Sequence, residues 1–185
     1  MTDVRSVGVL VGSLRRGSFS GRVAEAFAAL APASLRLGTI DIGALPLYNQ
    51  DLETDPPPEW VAFRDRMGAV DAVLFVTPEY NRSVPAALKN ALDVGSRPFG
   101  QSVWDRKPGA VVSQSPGPLG GFGANHHLRQ SLVYLNVPTM SQPEAYLGGI
   151  AKAWDAGGSL TPEMRDILER FLKAFATWIE TTRPR

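Results

Sequence analysis

The sequence predicts an α/β fold in which helices cover both faces of a five-stranded parallel sheet. Two continuous apolar runs, at residues 7–11 and 72–76, are typical of strands that are buried on both faces. Helical patterns follow these and the other predicted strands, so strands and helices alternate along the chain. Right-handed crossovers between five strands favour a three-layer, doubly wound sandwich with strand order 2-1-3-4-5.

The first half of the chain contains three further predicted elements. Helical spacing of apolar residues predicts a helix over 19–30, and a more polar run over 35–40 predicts a strand near a sheet edge. A proline-rich connection spans 43–58. A helix then runs from about 59 to 67, since proline is tolerated at a helix start but not in its interior.

The second half continues the alternation. A short helix is predicted over 86–93, a strand over 110–112, and a helix that ends with 126–135. Residues 137–140 are predicted as the last strand, and 141–160 as irregular. The C-terminal helix carries the strongest period and follows a Thr-Pro-Glu start typical of a capped helix. Its apolar stripe is Met164, Ile167, Leu168, Phe171, Leu172, Phe175 and Ile179.

Composition restricts the class of protein. At 185 residues with 44% hydrophobic residues, one globular domain over 1–185 is expected. A net charge of +1 with no basic run predicts no nucleic-acid partner. The absence of cysteine excludes disulfides, thiolate metal ligands and a cysteine nucleophile. No run is long enough for a signal peptide or a membrane span, which predicts a cytoplasmic protein without a membrane partner.

Three loops are expected to form the functional site. In doubly wound sheets ligands bind beyond the carboxyl ends of the strands, where the strand order reverses. The loops after the first, third and fourth strands are GSLRRGSFS (12–20), TPEYNRSVP (77–85) and SQSPGPLGG (113–121). These loops are the richest in glycine, proline and hydroxyl residues, so we expect them to meet at one rim of the sheet.

The first loop has the residues of an anion site. Unpaired N–H groups at a helix start attract anions, and arginine can grip a phosphate with two donors. The hydroxyls are Ser13, Ser18 and Ser20, and the cations are Arg15 and Arg16. No lysine follows the second glycine and no GxGxxG is present, which argues against a nucleoside triphosphate or dinucleotide loop. A monophosphate remains, with flavin mononucleotide (FMN) the obvious candidate; a capped helix with a flexible loop is the alternative.

The second and third loops can hold a flat ring. Pro78 stiffens its turn, Tyr80 can flank a ring, and Asn81 can hydrogen-bond to it. Gln114 and Ser115 lie where a strand ends, and the glycines beyond them permit close approach of the backbone. The alternatives are an ordinary strand-to-helix turn capped by Asn81 or Ser83, and a mobile surface loop.

Three motifs together resemble the NADPH-dependent FMN reductase family, the flavodoxin-like group of quinone, azo and chromate reductases. They are GSLRRGSFS, PEYNRSVPAALKNALD and SPGPLGG, within a match from about residue 7 to 146. The resemblance implies a flavodoxin-like sandwich that binds FMN. It places Ser13, Arg15, Ser18, Phe19 and Ser20 around the phosphate, with Pro78, Glu79, Tyr80 and Asn81 against the ring, mostly through backbone groups, and Gln114, Ser115 and Gly117 on the third side.

The resemblance also implies an activity. Hydride would pass from NADPH or NADH through bound FMN to a small acceptor such as a quinone, and possible further acceptors are azo compounds, chromate and free flavin. No protein group is required as nucleophile or base, so no catalytic residue is named, and assembly as a homodimer or homotetramer is expected. Adjacent His126 and His127 point in different directions, which predicts no metal site.

Two alternatives stay open. A flavodoxin-type electron carrier would have no substrate turnover of its own; such carriers have strongly acidic surfaces, whereas this chain is nearly neutral. A binding domain without flavin is possible on the same fold, because fold does not fix function.

Overall fold

The computed structural model describes residues 3–183, which contain five parallel strands and five α-helices. The strands are β1 (Arg5–Val11), β2 (Leu35–Thr39), β3 (Ala72–Thr77), β4 (Gly109–Gln114) and β5 (Ala145–Leu147). The helices are α1 (Phe19–Ala29), α2 (Pro58–Gly68), α3 (Ala86–Gly95), α4 (Phe122–Tyr134) and α5 (Pro162–Thr182). The sheet order is β2-β1-β3-β4-β5, which confirms the prediction.

Each face of the sheet has its own apolar core, which confirms three layers. Val9 and Leu74 contribute to the core under α1 and α5, together with Phe171. Leu10 and Phe75 contribute to the core under α2, α3 and α4. Successive strand residues point to opposite faces, so β3, buried along its whole length, serves both cores.

Trp104 is buried against α3. The ring of Trp104 lies against Gly95, where an added Cβ would be 2.6 Å from ring atoms. Trp104 Nε1 donates to the carbonyl of Leu92 at 2.9 Å, which satisfies its buried donor. Trp60, on α2, is also buried.

The prediction of the last strand was wrong. Residues 137–140 make a single bridge, between Thr139 and Gly109, and the fifth strand is β5. Pro138 has no N–H to donate, so a regular ladder cannot run through this segment. β5 instead pairs with the end of β4, from Val112 opposite Ala145 to Gln114 opposite Leu147.

The observed bounds of other elements differ by a few residues from the predicted bounds. β4 extends through Ser113 and Gln114, which are polar but buried, and α4 starts at Phe122 after the left-handed Gly121. The cap predicted for α5 is confirmed, because Thr161 accepts a hydrogen bond from the N–H of Met164 at 3.4 Å. Among residues 3–183, no helix has the length and apolarity needed to cross a bilayer.

Candidate functional site

The three loops begin side by side at the carboxyl edge of the sheet. Val11 at the end of β1 is opposite Val76, and Thr77 at the end of β3 is opposite Ser113. The N–H of Gly12 donates to the carbonyl of Val76 at 2.8 Å. The loops that follow β1, β3 and β4 therefore share one rim, as predicted.

Gly12 permits the closest contact between the first two loops. An added Cβ would lie 2.9 Å from Thr77 Oγ1 and 3.1 Å from the ring of Pro78. Any larger residue would push the start of the first loop away from the second, so this glycine sets their separation.

The first loop leads into a helix whose positive end has no acidic partner of its own. Ser18 caps α1, with its hydroxyl accepting from the N–H of Gly21 at 3.1 Å. The first turn of α1 contains no acidic residue. Arg15 is exposed beside it, and Ser13 is half-buried. Free N–H groups, the helix dipole and a cation therefore coincide here, an arrangement that favours an anion.

Ser20 and Gln114 join the first loop to the third in a buried contact. Gln114 Nε2 donates to Ser20 Oγ at 2.7 Å, and both side chains are buried. The other amide atom, Gln114 Oε1, is buried without a hydrogen-bond partner among residues 3–183. Exchange of the amide oxygen and nitrogen would leave an unpaired donor instead, so in either assignment the amide lacks one partner.

Phe19 contacts Trp154, a residue that the sequence analysis did not identify. Its ring stacks on Trp154 with centroids 6.3 Å apart and planes 17° apart. The guanidinium of Arg22 lies over the same indole, 3.8 Å from its centroid. Since the ring of Phe19 is occupied in this contact, the group that it offers at the positive end of α1 is its N–H.

The second loop is a tight turn with two left-handed residues. Asn81 and Arg82 have φ values of 51° and 64°, and Tyr80 and Ser83 exchange backbone hydrogen bonds of 3.1 and 2.9 Å. Two such residues between paired neighbours are typical of a type I′ turn. α3 is preceded by Pro85 without a side-chain cap, so the alternative in which Asn81 or Ser83 caps that helix is wrong. Tyr80 and Asn81 are exposed at the tip.

Glu79 is fixed within the protein by its carboxylate. One oxygen accepts from the N–H of Ala124 at 3.1 Å, at the positive end of α4, and the other from Arg82 at 3.1 Å. The side chain is only 14% exposed, and a Cβ on Gly123 would lie 2.9 Å from it. A ligand in the crevice would therefore meet the backbone of this turn while the Glu79 side chain supports it.

The third loop is held to β5. Ser115 Oγ accepts from the N–H of Gly117 at 3.0 Å, and the Ser115 N–H donates to Leu147 at 3.1 Å. The N–H of Gly149 donates to the carbonyl of Gly117 at 3.0 Å. These hydrogen bonds hold Ser115 and Gly117 to each other and to the segment that contains β5. They therefore do not favour the alternative of a mobile surface loop.

A groove of about 530 Å³ lies on the other side of the first loop. Ser13, Arg15 and Ser18 line it together with the outer face of α1 and residues 39–43, which follow β2. We refer to this space as the β2 groove. Its lining includes no residue of the second or third loop, so it is distinct from the side on which Ser20 meets Gln114.

Comparison with known proteins identifies the family to which this chain belongs. The sequence model of the NADPH-dependent FMN reductase family matches residues 5–152, which is most of the chain. The chain belongs to the NADPH-dependent FMN reductase family.

Full-length relatives of this FMN reductase family member include enzymes that act on quinones. It is 58% identical over 184 residues to a quinone reductase of Pseudomonas putida, covering 99% of both chains. It is 46% identical over 178 residues to a 2-hydroxy-1,4-benzoquinone reductase of a Burkholderia species, covering 96% of this chain and 97% of the other. The solved structure of FerB, a flavoenzyme NAD(P)H:(acceptor) oxidoreductase of Paracoccus denitrificans, superposes with a TM-score of 0.92 at 42% identity, covering 98% and 100%. The fold is thus flavodoxin-like, as predicted.

In this family member the two adjacent histidines are exposed and hydrogen-bonded to neighbours. His127 Nδ1 lies 2.8 Å from Ser83 Oγ, and His126 Nε2 lies 2.8 Å from the hydroxyl of Tyr146. Tyr146 donates to Glu144 at 2.8 Å, and burial together with that carboxylate raises the pKa of Tyr146 to about 12. Among residues 3–183, no three His, Asp or Glu side chains cluster in a way that could hold a metal ion.

Proposed function

We propose that this protein is an FMN-dependent NAD(P)H:quinone oxidoreductase. In the net reaction NAD(P)H and one proton reduce a quinone to its hydroquinone and leave NAD(P)⁺. FMN, when bound, supplies a centre that accepts a hydride and passes it on. Within the structure, the observation that carries the proposal is the buried, incompletely paired amide of Gln114, which lies at the carboxyl end of β4 and reaches Ser20 at the start of α1.

The proposed phosphate site is the positive end of α1. Arg15 supplies a cation, and the first turn offers N–H groups without an acidic competitor. The proposal assigns this role to Ser13, Arg15, Ser18, Phe19 and Ser20. The hydroxyls of Ser18 and Ser20 already accept internal hydrogen bonds, so each still has its own O–H to donate to a phosphate oxygen.

The proposed ring site lies between the second and third loops. Pro78, Glu79, Tyr80 and Asn81 would border one side, and Gln114, Ser115 and Gly117 the other. The tight turn and the support of Glu79 keep the backbone of the second loop in place, which reduces the cost of ordering it around a ligand. The Gln114 amide has one position still unpaired, and the polar edge of a flavin could satisfy it in either orientation.

No protein acid or base is assigned to the chemical step. The work of the chain is to fix the flavin, leave room for two successive substrates, and place donors where reduction adds negative charge. Quinones are the proposed acceptors, with azo compounds, chromate and free flavin as further candidates for the same open face.

We further propose that the protein is cytoplasmic, that residues 1–185 form one domain, and that it assembles as a homodimer or homotetramer. The shared sheet between two cores supports the single domain. Exposed apolar side chains support assembly, among them Phe99, Val133 and Tyr134. Sedimentation velocity would test the assembly, and a monomer at micromolar concentration would contradict it.

Steady-state kinetics distinguishes this function from electron carriage. The protein reconstituted with FMN is expected to oxidise NADH or NADPH continuously when a quinone is the sole acceptor. A carrier would show negligible turnover under the same conditions, and a protein that takes up no FMN would contradict both functions.

Two substitutions test the phosphate site. Arg15→Ala and Ser20→Ala are each expected to raise the Kd for FMN about tenfold, because each removes a donor to the phosphate. Arg36→Ala, at an exposed arginine on the edge strand β2, is the matched control. Unchanged Kd values for both site variants would contradict the assignment.

A further inference from the structure

The first turn of α4 lies between the second and third loops and contacts both of them. On the side of the second loop, the N–H of Ala124 donates to Glu79 at 3.1 Å, and an added Cβ on Gly123 would lie 2.9 Å from the same carboxylate. On the side of the third loop, an added Cβ on Gly121 would lie 3.0 Å from the side chain of Ser113. The position of this turn therefore sets how far apart the two loops lie.

Asn125, in the same turn, joins α4 to the end of β4 through a fully buried side chain. Its Nδ2 donates to Ser113 Oγ at 3.1 Å and to the carbonyl oxygen of Ala145 at 3.5 Å. Its Oδ1 accepts from Nε of Arg129 at 2.9 Å. Because the guanidinium of arginine can only donate, this contact fixes which amide atom faces Ser113. Both polar atoms of the Asn125 amide are thus paired within the chain, in contrast to those of Gln114.

Arg129 connects this amide to a further segment of the chain. Its Nη1 donates to the carbonyl of Met140 at 3.0 Å, so one guanidinium holds both Asn125 and the segment that precedes β5. Hydrogen bonds from a charged donor are stronger than those between neutral groups. At the other end of this network, Ser113 lies opposite Thr77, the first residue of the second loop. The network therefore reaches the strand ends on both sides of the proposed ring site.

We propose that Asn125 is a positioning residue for the flavin ring and that Arg129 orients it. A fully paired buried polar network fixes one arrangement of the elements that it joins, whereas apolar packing tolerates small shifts. Asn125 holds the first turn of α4 at the distance from β4 at which the second and third loops accept a planar ring between them. This inference rests on the proposed function and adds the residues that set the width of the ring site.

Riboflavin is the decisive probe, because it contains the ring and lacks the phosphate. Asn125→Ala is expected to raise the Kd for riboflavin and the Kd for FMN by the same factor, about tenfold, since the ring site is no longer held in shape while the phosphate site at α1 is unchanged. Asn125→Asp keeps an acceptor for Arg129 and shares a hydrogen bond with Ser113 in either protonation state, so both Kd values are expected to stay within about threefold of the wild type. Titrations of flavin fluorescence, well below the Tm of every variant, measure these values.

Two further variants separate positioning from a general loss of stability. Leu132→Ala removes a fully buried side chain near the other end of α4, so it is expected to lower Tm and to leave both Kd values within about twofold of the wild type. Arg129→Met leaves Asn125 in place without its orienting donor and is expected to raise both Kd values about threefold. This variant tests the inference even if Asn125→Ala does not fold.

Three results would overturn the inference and leave the proposed function intact. The first is a riboflavin Kd within about twofold of the wild type in every folded variant of Asn125→Ala and Arg129→Met. The second is a loss of affinity confined to FMN, and the third is an equal loss in Leu132→Ala. A wild-type protein that binds neither flavin would instead overturn the proposed function.

Discussion

The side chain of Gln114 is buried at the end of β4, and one atom of its amide has no hydrogen-bond partner among residues 3–183. The sequence marked it because it lies where the fourth strand ends, but only the structure shows that it reaches Ser20. A buried amide atom without a partner costs stability, and such atoms are rare in proteins. The residue is therefore better explained by a ligand than by the stability of the chain alone.

Gln114→Met separates these two explanations. Methionine fills a similar volume, and the ligand-free protein loses one hydrogen bond but also an unsatisfied atom, so the free energy of unfolding is expected to change by less than about 1 kcal/mol. The Kd for FMN, measured by quenching of flavin fluorescence, is expected to rise about tenfold. A stability loss of several kcal/mol with unchanged FMN affinity would assign the amide to the fold.

Asp71 stabilises the opposite, amino-terminal edge of the sheet. Burial opposes its charge, but hydrogen bonds from the N–H and hydroxyl of Ser6, at 2.7 and 2.8 Å, and the nearby charges of Arg5 and Lys107 outweigh that effect. The pKa of Asp71 is therefore below its ordinary value of 3.8. Its contribution is present above that pH and is lost as the pH falls through the folded-state pKa.

Asp71→Asn is expected to lower the free energy of unfolding at neutral pH by about 1 kcal/mol, a value discounted for the exposure of the group. The difference between variant and wild type should shrink as the pH falls below 3.8, because the carboxyl then becomes protonated first in the unfolded chain and, at lower pH, in the folded protein. Urea unfolding at pH 7 and at pH 3 measures both values, with Asp51→Asn in the exposed loop as control. An equal difference at the two pH values would contradict the assignment.

At the scale of elements, α1 is held in place by a segment far along the chain. Its helical period could be read from the sequence, whereas its contact with Trp154 could not, since that residue lies in a stretch predicted as irregular. The stack of Phe19, Trp154 and Arg22 fixes the first turn of α1, whose N–H groups form the proposed phosphate site.

Trp154→Ala is expected to weaken FMN binding about fivefold, because the first turn loses its support. Riboflavin, which lacks the phosphate, should lose less affinity, and Trp154→Phe should restore most of the binding of FMN. Titrations with the two flavins under identical conditions measure the difference. Equal losses for FMN and riboflavin would show that the indole acts on the whole protein and not on the phosphate site.

The fifth strand shows where pattern reasoning at this scale fails. Residues 137–140 are apolar except for Thr139 and follow a helix, so they fit the expected alternation, yet Pro138 interrupts their pairing. β5 has three paired residues, Ala145–Leu147, too few to give a period in the sequence. Its position is decided by pairing with β4, a contact between distant segments.

At the scale of the whole molecule, the proposed flavin site is assembled from three loops that the sheet brings to one edge. Binding of FMN should therefore stabilise the folded chain as a unit. At about 100 times its Kd, FMN is expected to add about 2.7 kcal/mol to the free energy of unfolding, or about 5–10 °C in Tm. Riboflavin at the same concentration should raise Tm less, and equal shifts for the two flavins, measured calorimetrically, would contradict a phosphate-anchored site.

The sequence by itself determined the class of fold, the strand order and the three loops, because these follow from local periodicity, turn residues and the handedness of crossovers. It also placed the family, through motifs that lie within those loops. The tertiary structure decided which side chains meet: Ser20 with Gln114, Phe19 with Trp154, and Glu79 with the start of α4. These contacts join residues far apart in the chain, and no local pattern encodes a pairing that arises only when separate elements pack together.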